Sequence, residues 1–138
     1  MKKVFLPLAT AVLLASCSQQ ADINWDVLPG STNYVLEYGE SGIPRQKKVN
    51  LREQELEQLR TYMQELVNEG NISPVTYAPA TVLSGENYSL NFNRELIILN
   101  IWNEENKDGC QYTRKRTQSD DDLQELIRRR TNSRKLKR

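Results

Sequence analysis

Apolar residues follow three rhythms along this chain, and each rhythm predicts a different kind of element. Residues 4–14 are a nearly continuous apolar run of 11 residues, broken only by Pro7 and Thr10. Over 51–69 the apolar positions fall at helical spacing instead: Leu56, Leu59, Met63, Leu66 and Val67 form a single stripe. Glu55, Glu57, Arg60, Gln64 and Glu65 are expected on the other faces of that helix. Asn50 is placed to cap it, Glu53 completes a capping-box pattern, and no Gly or Pro intervenes before Gly70.

Elsewhere the rhythm is alternation, which predicts strands. Residues 34–38 and 45–49 are rich in strand formers or alternate, and the turn-like stretch 39–42 between them predicts a hairpin. Pro44 suits the start of the second strand or a sheet edge, where its missing N–H costs nothing. Further strands are expected at 75–77, 81–83, 88–92 and 96–102. Tyr88, Leu90 and Phe92 alternate with Ser89, Asn91 and Asn93, so that strand should bury one face. Leu96 to Leu99 is apolar on both faces and belongs centrally in a sheet. The short connection 93–95 predicts antiparallel pairing. Residues 110–116 fit another strand, with Cys110, Tyr112 and Arg114 on one face.

Ser119, with Asp122 three residues later, is the expected start of a second helix carrying Leu123, Leu126 and Ile127. Asp120, Asp121 and Asp122 suit its positive N-terminal end, and Arg128, Arg129 and Arg130 its negative C-terminal end. The resulting order of hairpin, helix, antiparallel strands and helix predicts an α+β fold, an antiparallel sheet with two helices packed on one face. A small β-barrel with appended helices is the alternative. Residues 18–33 are polar and turn-rich around Pro29-Gly30 and read as a tether, although Ile23, Trp25, Val27 and Leu28 could pack on the domain as a short strand.

The apolar run at the N-terminus is too short for a membrane-spanning helix, which needs about 20 residues. Preceded by Lys2-Lys3, it has the length and flanks of a secretory signal. Leu14-Ala15-Ser16-Cys17 then resembles the lipobox of bacterial lipoprotein precursors. The resemblance covers the first 17 residues and implies cleavage between Ser16 and Cys17 by signal peptidase II. It also implies a diacylglyceryl group on the Cys17 thiol and an acyl group on its new amine. Two or three acyl chains anchor a protein stably, where one is marginal. Ser18 follows the anchor where Asp would resemble an inner-membrane retention signal. The resemblance thus points to the periplasmic face of the outer membrane in an organism that has one. The chain divides on this reading into a signal peptide (1–16), a lipidated cysteine and tether (17–33), a single domain (34–130) and a basic tail (131–138).

Composition narrows the remaining chemistry. A chain of 138 residues with 38% hydrophobic and 27% charged residues accommodates one modest core and no second domain. It has no histidine, which removes the commonest general base and metal ligand. Once Cys17 is lipidated, Cys110 is the remaining thiol, and without histidine it lacks the usual partner of a thiol nucleophile. The acids occupy expected caps and solvent faces, and the Asp120 to Asp122 run lacks the spacing and glycine of a calcium loop. Serine-nucleophile and phosphate-loop patterns are absent from the sequence. No metal and no cofactor is expected beyond the covalent lipid.

The overall charge of +1 hides a polarised chain. Residues 128–138 carry seven basic and no acidic side chains, whereas residues 17–127 carry ten basic and eighteen acidic ones. Arg128, Arg129, Arg130, Arg134, Lys135, Lys137 and Arg138 are therefore candidates for contact with an anionic lipid or polymer. Nucleic acid is a poor partner for an exported protein. The sequence thus predicts a membrane-anchored envelope lipoprotein with a non-catalytic binding, inhibitory or assembly-accessory domain. The membrane and an envelope protein or anionic surface are its expected partners. A small envelope enzyme or redox protein using Cys110 is the alternative.

Overall fold

A computed structural model of the chain describes residues 23–38, 43–72, 75, 77–78, 80–102 and 109–136, the last five as backbone only. The strands are β1 (Asn33–Tyr38), β2 (Pro44–Val49), β3 (Asn71–Ile72), β4 (Thr81–Ser84), β5 (Tyr88–Phe92), β6 (Leu96–Trp102) and β7 (Gly109–Lys115). The helices are α1 (Glu53–Glu69), between β2 and β3, and α2 (Gln118–Leu136), after β7. The seven strands form one open antiparallel sheet in the order β2-β1-β4-β5-β6-β7-β3. The fold is α+β, as the alternation pattern predicts. The sheet does not close, so the barrel alternative is excluded: β2 and β3 are its two outer strands.

Register explains which side chains share a face. Val35 is opposite Leu83, Leu83 opposite Leu90, Leu90 opposite Leu99, and Leu99 opposite Tyr112, giving a continuous apolar row across five strands. Against this face pack Leu59, Met63, Leu66 and Val67 of α1 and Ile127 of α2. Both helices therefore cover the same side of the sheet. Ile97, Ile98 and Leu99 are fully buried because β6 lies between β5 and β7 and is covered on both faces. Pro44 opens the edge strand β2, the place a residue without an N–H tolerates.

The second face carries polar side chains in register. Ser84, Ser89, Asn100 and Gln111 are successive cross-strand partners on β4 to β7. The connection from β3 to β4 must return across this face, because β3 is an outer strand and β4 lies between β1 and β5. Its described residues show the route. The Val75 amide donates to Gln111 Oε1 (2.6 Å), Asn100 Nδ2 donates to the Tyr77 hydroxyl (3.1 Å), and the Tyr38 amide donates to the Ala80 carbonyl (3.0 Å). Gln111 Nε2 and Asn100 Oδ1 join the row at 3.0 Å, so the amide row holds the crossing chain in place.

Several local expectations are corrected. Residues 75 and 77 are not in a strand; the strand before the crossing is the short β3, which two residues of pattern cannot announce. The segment before residue 34 is not simply a tether. Ile23 and Trp25 pack against the core, Leu28 is buried within it, and Asn33 is fully buried in β1. This segment makes a turn, with the Leu28 amide donating to the Asn24 carbonyl, and not a strand. At the other end α2 continues through Asn132 and Ser133 to Leu136, past the boundary at 131.

Candidate functional site

The two helices begin alike, and their first turns hold the main buried charges. Arg52 is the N-cap of α1, so Glu55 is its third helical residue and its carboxylate accepts the Arg52 amide at 2.9 Å. Thr117 stands in the same relation to α2: its amide donates to Asp120 Oδ2 at 2.6 Å. The caps are therefore Arg52 and Thr117, two residues after the expected Asn50–Glu53 pair and two before the expected Ser119–Asp122 pair. A carboxylate in this place satisfies a free helix-end amide and meets the positive end of the helix.

Each of these carboxylates also receives an arginine from elsewhere in the fold. Arg114 of β7 reaches Asp120 with Nη2 on Oδ1 (2.6 Å) and Nη1 on Oδ2 (3.1 Å). The Tyr62 hydroxyl of α1 donates to the same Oδ1 at 2.6 Å, and the Arg114 guanidinium lies 5.9 Å from the Tyr62 ring centre. Asp120 thus joins α1, β7 and α2 from a fully buried position. Burial alone would raise its pKa, but the Arg114, Tyr62 and Thr117 hydrogen bonds outweigh that and hold it below the ordinary carboxylate range. Burial, and then the Asp120 carboxylate, push the Tyr62 phenol far above its normal value.

Glu55 is buried too, against its expected place on a solvent face. Arg130 of α2 binds it with Nη2 at 2.7 Å and Nε at 2.8 Å. Here also burial would raise the carboxyl pKa, and the Arg130 and Arg52 contacts lower it on balance. Of the three arginines at 128–130, only Arg130 is bound in this long-range tie. Arg128 pairs with Glu125 at 2.6 Å, Arg129 lies 3.8 Å from the same carboxylate, and both stay largely exposed. Arg134 and Lys135 continue the α2 backbone, while their side chains, and Lys137 and Arg138 altogether, lie outside the described residues. So do Ser16 and Cys17.

The remaining candidates have structural surroundings. Cys110 is half-buried on the helix-covered face and packs against the core. An open hollow of ≈750 Å³ beside the β5–β6 turn is lined by Arg94, Glu95, Lys115, Arg116 and Asp121. Its Arg116 is held by Asp121 (2.6 Å) and by the Asn93 carbonyl (2.9 Å). Among the described residues, no group of three or more Cys, Asp or Glu side chains is arranged to hold a metal ion.

Folding also assembles a charge feature that the linear sequence disperses. β2 is an outer strand in contact with α2, Arg128 of α2 lies near enough to Glu37 of the adjoining β1 to feel its charge, and β2 runs directly into the start of α1. Arg45 and Lys47 of β2, on the helix-covered face, Lys48 on the opposite face of the same strand, Arg52 at the α1 cap, and Arg128 and Arg129 of α2 thereby border one edge of the molecule. Arg45, Lys48 and Arg52 are exposed. The missed signal was the spacing of Arg45, Lys47, Lys48 and Arg52, which becomes a patch only once α2 is known to return to that edge.

No family model, curated protein or solved structure matches this chain.

Proposed function

We propose that the chain is a membrane-anchored cell-envelope lipoprotein whose domain is a non-catalytic binding, inhibitory or assembly-accessory module. The observation that carries this reading is the N-terminal order of Lys2-Lys3, an apolar run and Leu14-Ala15-Ser16-Cys17. Cys17 is the lipidated residue of the reading, and the periplasmic face of the outer membrane is its destination where such a membrane exists. The non-catalytic part draws support from the bonding of the buried ionisable groups. Asp120, Glu55 and Tyr62 each join two or more elements, and the Tyr88 hydroxyl donates to Asn33 Oδ1, so each has a role in holding the fold.

Fractionation of cells tests the anchor. Wild-type protein is expected in the membrane fraction, and Cys17→Ser is expected either soluble or retained as an unprocessed precursor. Wild-type protein in the soluble fraction contradicts the reading. A thiol-labelling time course on folded protein tests the module. Cys110 should label more slowly than in urea, since its side chain packs against the core. Labelling faster than in the unfolded chain, with loss of function in Cys110→Ser, would instead support a thiol enzyme.

A further inference from the structure

The six basic side chains bordering β2 and α2 face few acids. Among the described residues Glu37, Glu53 and Glu125 are interspersed with them, and Glu55 beside Arg52 is matched by its ion pair with Arg130, so the edge keeps a net +3. The other described side chains hold five basic and nine acidic residues. The domain is therefore polarised in space, with its positive side at this edge. Arg128 and Arg129 are 57% and 68% exposed despite their contacts with Glu125, and Lys47 lies at 4.0 Å from Glu37 with a third of its side chain exposed. These cations are open to a second, external anion.

The chain's N-terminal segment reaches the domain close by. Arg60 Nε of α1 donates to the Leu28 carbonyl at 3.0 Å, and Glu55, which holds Arg130, lies five residues earlier on the same helix. Five helical residues span about 7.5 Å. The segment that leads back to Cys17 and the arginine-bearing half of α2 therefore converge on the N-terminal half of α1. From Ile23 back to Cys17 is six residues, at most about 20 Å of extended chain. A lipid held at residue 17 would keep the domain within that distance of the bilayer.

We propose that the β2–α2 edge is a second membrane contact, docking onto anionic phospholipid headgroups and orienting the domain on the bilayer. This proposal rests on the lipoprotein reading for its occupant. Charge complementarity selects anionic lipid: the basic groups lie along an edge strand and a helix end, are spread out and exposed, and can meet many headgroups at once. Each basic residue at such a surface strengthens binding about fivefold, and the effect weakens as salt shortens the screening length.

Lysine acylation of the full mature protein, reconstituted through its lipid, reads the orientation. Vesicles of phosphatidylcholine alone are compared with vesicles containing phosphatidylglycerol, each at low and high salt. Lys47 and Lys48 should lose reactivity only on the anionic vesicles at low salt, while Lys115, on the strand toward the opposite edge of the sheet, should stay unchanged. A quadruple variant, Arg45→Gln, Lys48→Gln, Arg52→Gln and Arg129→Gln, should abolish the protection of Lys47. Added from solution without its lipid, the same variant should bind anionic vesicles roughly 100-fold or more weakly than the parent. Its unfolding curve checks that the fold is retained. Equal reactivity of Lys47 and Lys48 on the two vesicle types, or protection of Lys115 in their place, would overturn the proposal. Failure of the lipoprotein reading shows separately, as absence of the protein from floated phosphatidylcholine vesicles. In that case the lipid-free binding comparison still decides for or against the edge.

Discussion

Asp120 shows how a single buried charge can be retained in a small domain. Its carboxylate accepts from Arg114, Tyr62 and Thr117, so its desolvation is offset by hydrogen bonds from three elements of the chain. Asp120→Ala would leave Arg114 without its partner and is expected to cost about 3 kcal/mol in urea unfolding. Tyr62→Phe removes one donor and should cost about 1.5 kcal/mol. The pH dependence has a definite sign. Asp120 and Glu55 both have folded pKa values below their unfolded ones, so their stabilisation is present above about pH 4 and is lost as pH falls through the folded values. Wild-type stability should therefore drop below about pH 4, and a paired Asp120→Asn, Arg114→Leu variant should show a shallower drop. An identical acid profile for both proteins contradicts that assignment.

At the scale of elements, burial of one side decides what the sequence makes visible. The stripe on α1 reads correctly because Leu59, Met63 and Leu66 are all buried and 3–4 residues apart. Leu59→Ala is expected to destabilise by about 2–5 kcal/mol, against within about 0.5 kcal/mol for the exposed Glu57→Ala. Equal losses in thermal or urea unfolding would show that a different face meets the sheet. β5 and β7 were legible from alternation and β6 from its run of apolar residues on both faces, which Ile97, Ile98 and Leu99 bury. Glu55 was not, because a carboxylate on a helix looks solvated until its arginine, 75 residues away in sequence, is known. The β3–β4 crossing was hidden for a related reason: Asn100, Gln111 and Tyr77 read as ordinary polar positions, and only the strand order reveals that a chain passes over them.

For the whole molecule, the sequence marked the charge asymmetry but placed it at the C-terminal end alone. The fold joins Arg128 and Arg129 to Arg45, Lys47, Lys48 and Arg52, residues that are distant along the chain and gathered by the position of β2 at the sheet edge. The folded body also begins earlier than the boundary at 34, since Trp25 and Leu28 already contact the core. That leaves Cys17 six residues before Ile23, a short tether for the lipid anchor proposed there. The proposed membrane attachment rests on the lipid anchor at Cys17. Mass spectrometry of the N-terminal peptide from membrane-extracted protein is the direct measurement. It should find a chain starting at Cys17 and carrying a diacylglyceryl group; an unmodified Cys17, or a mature N-terminus elsewhere, would contradict the account.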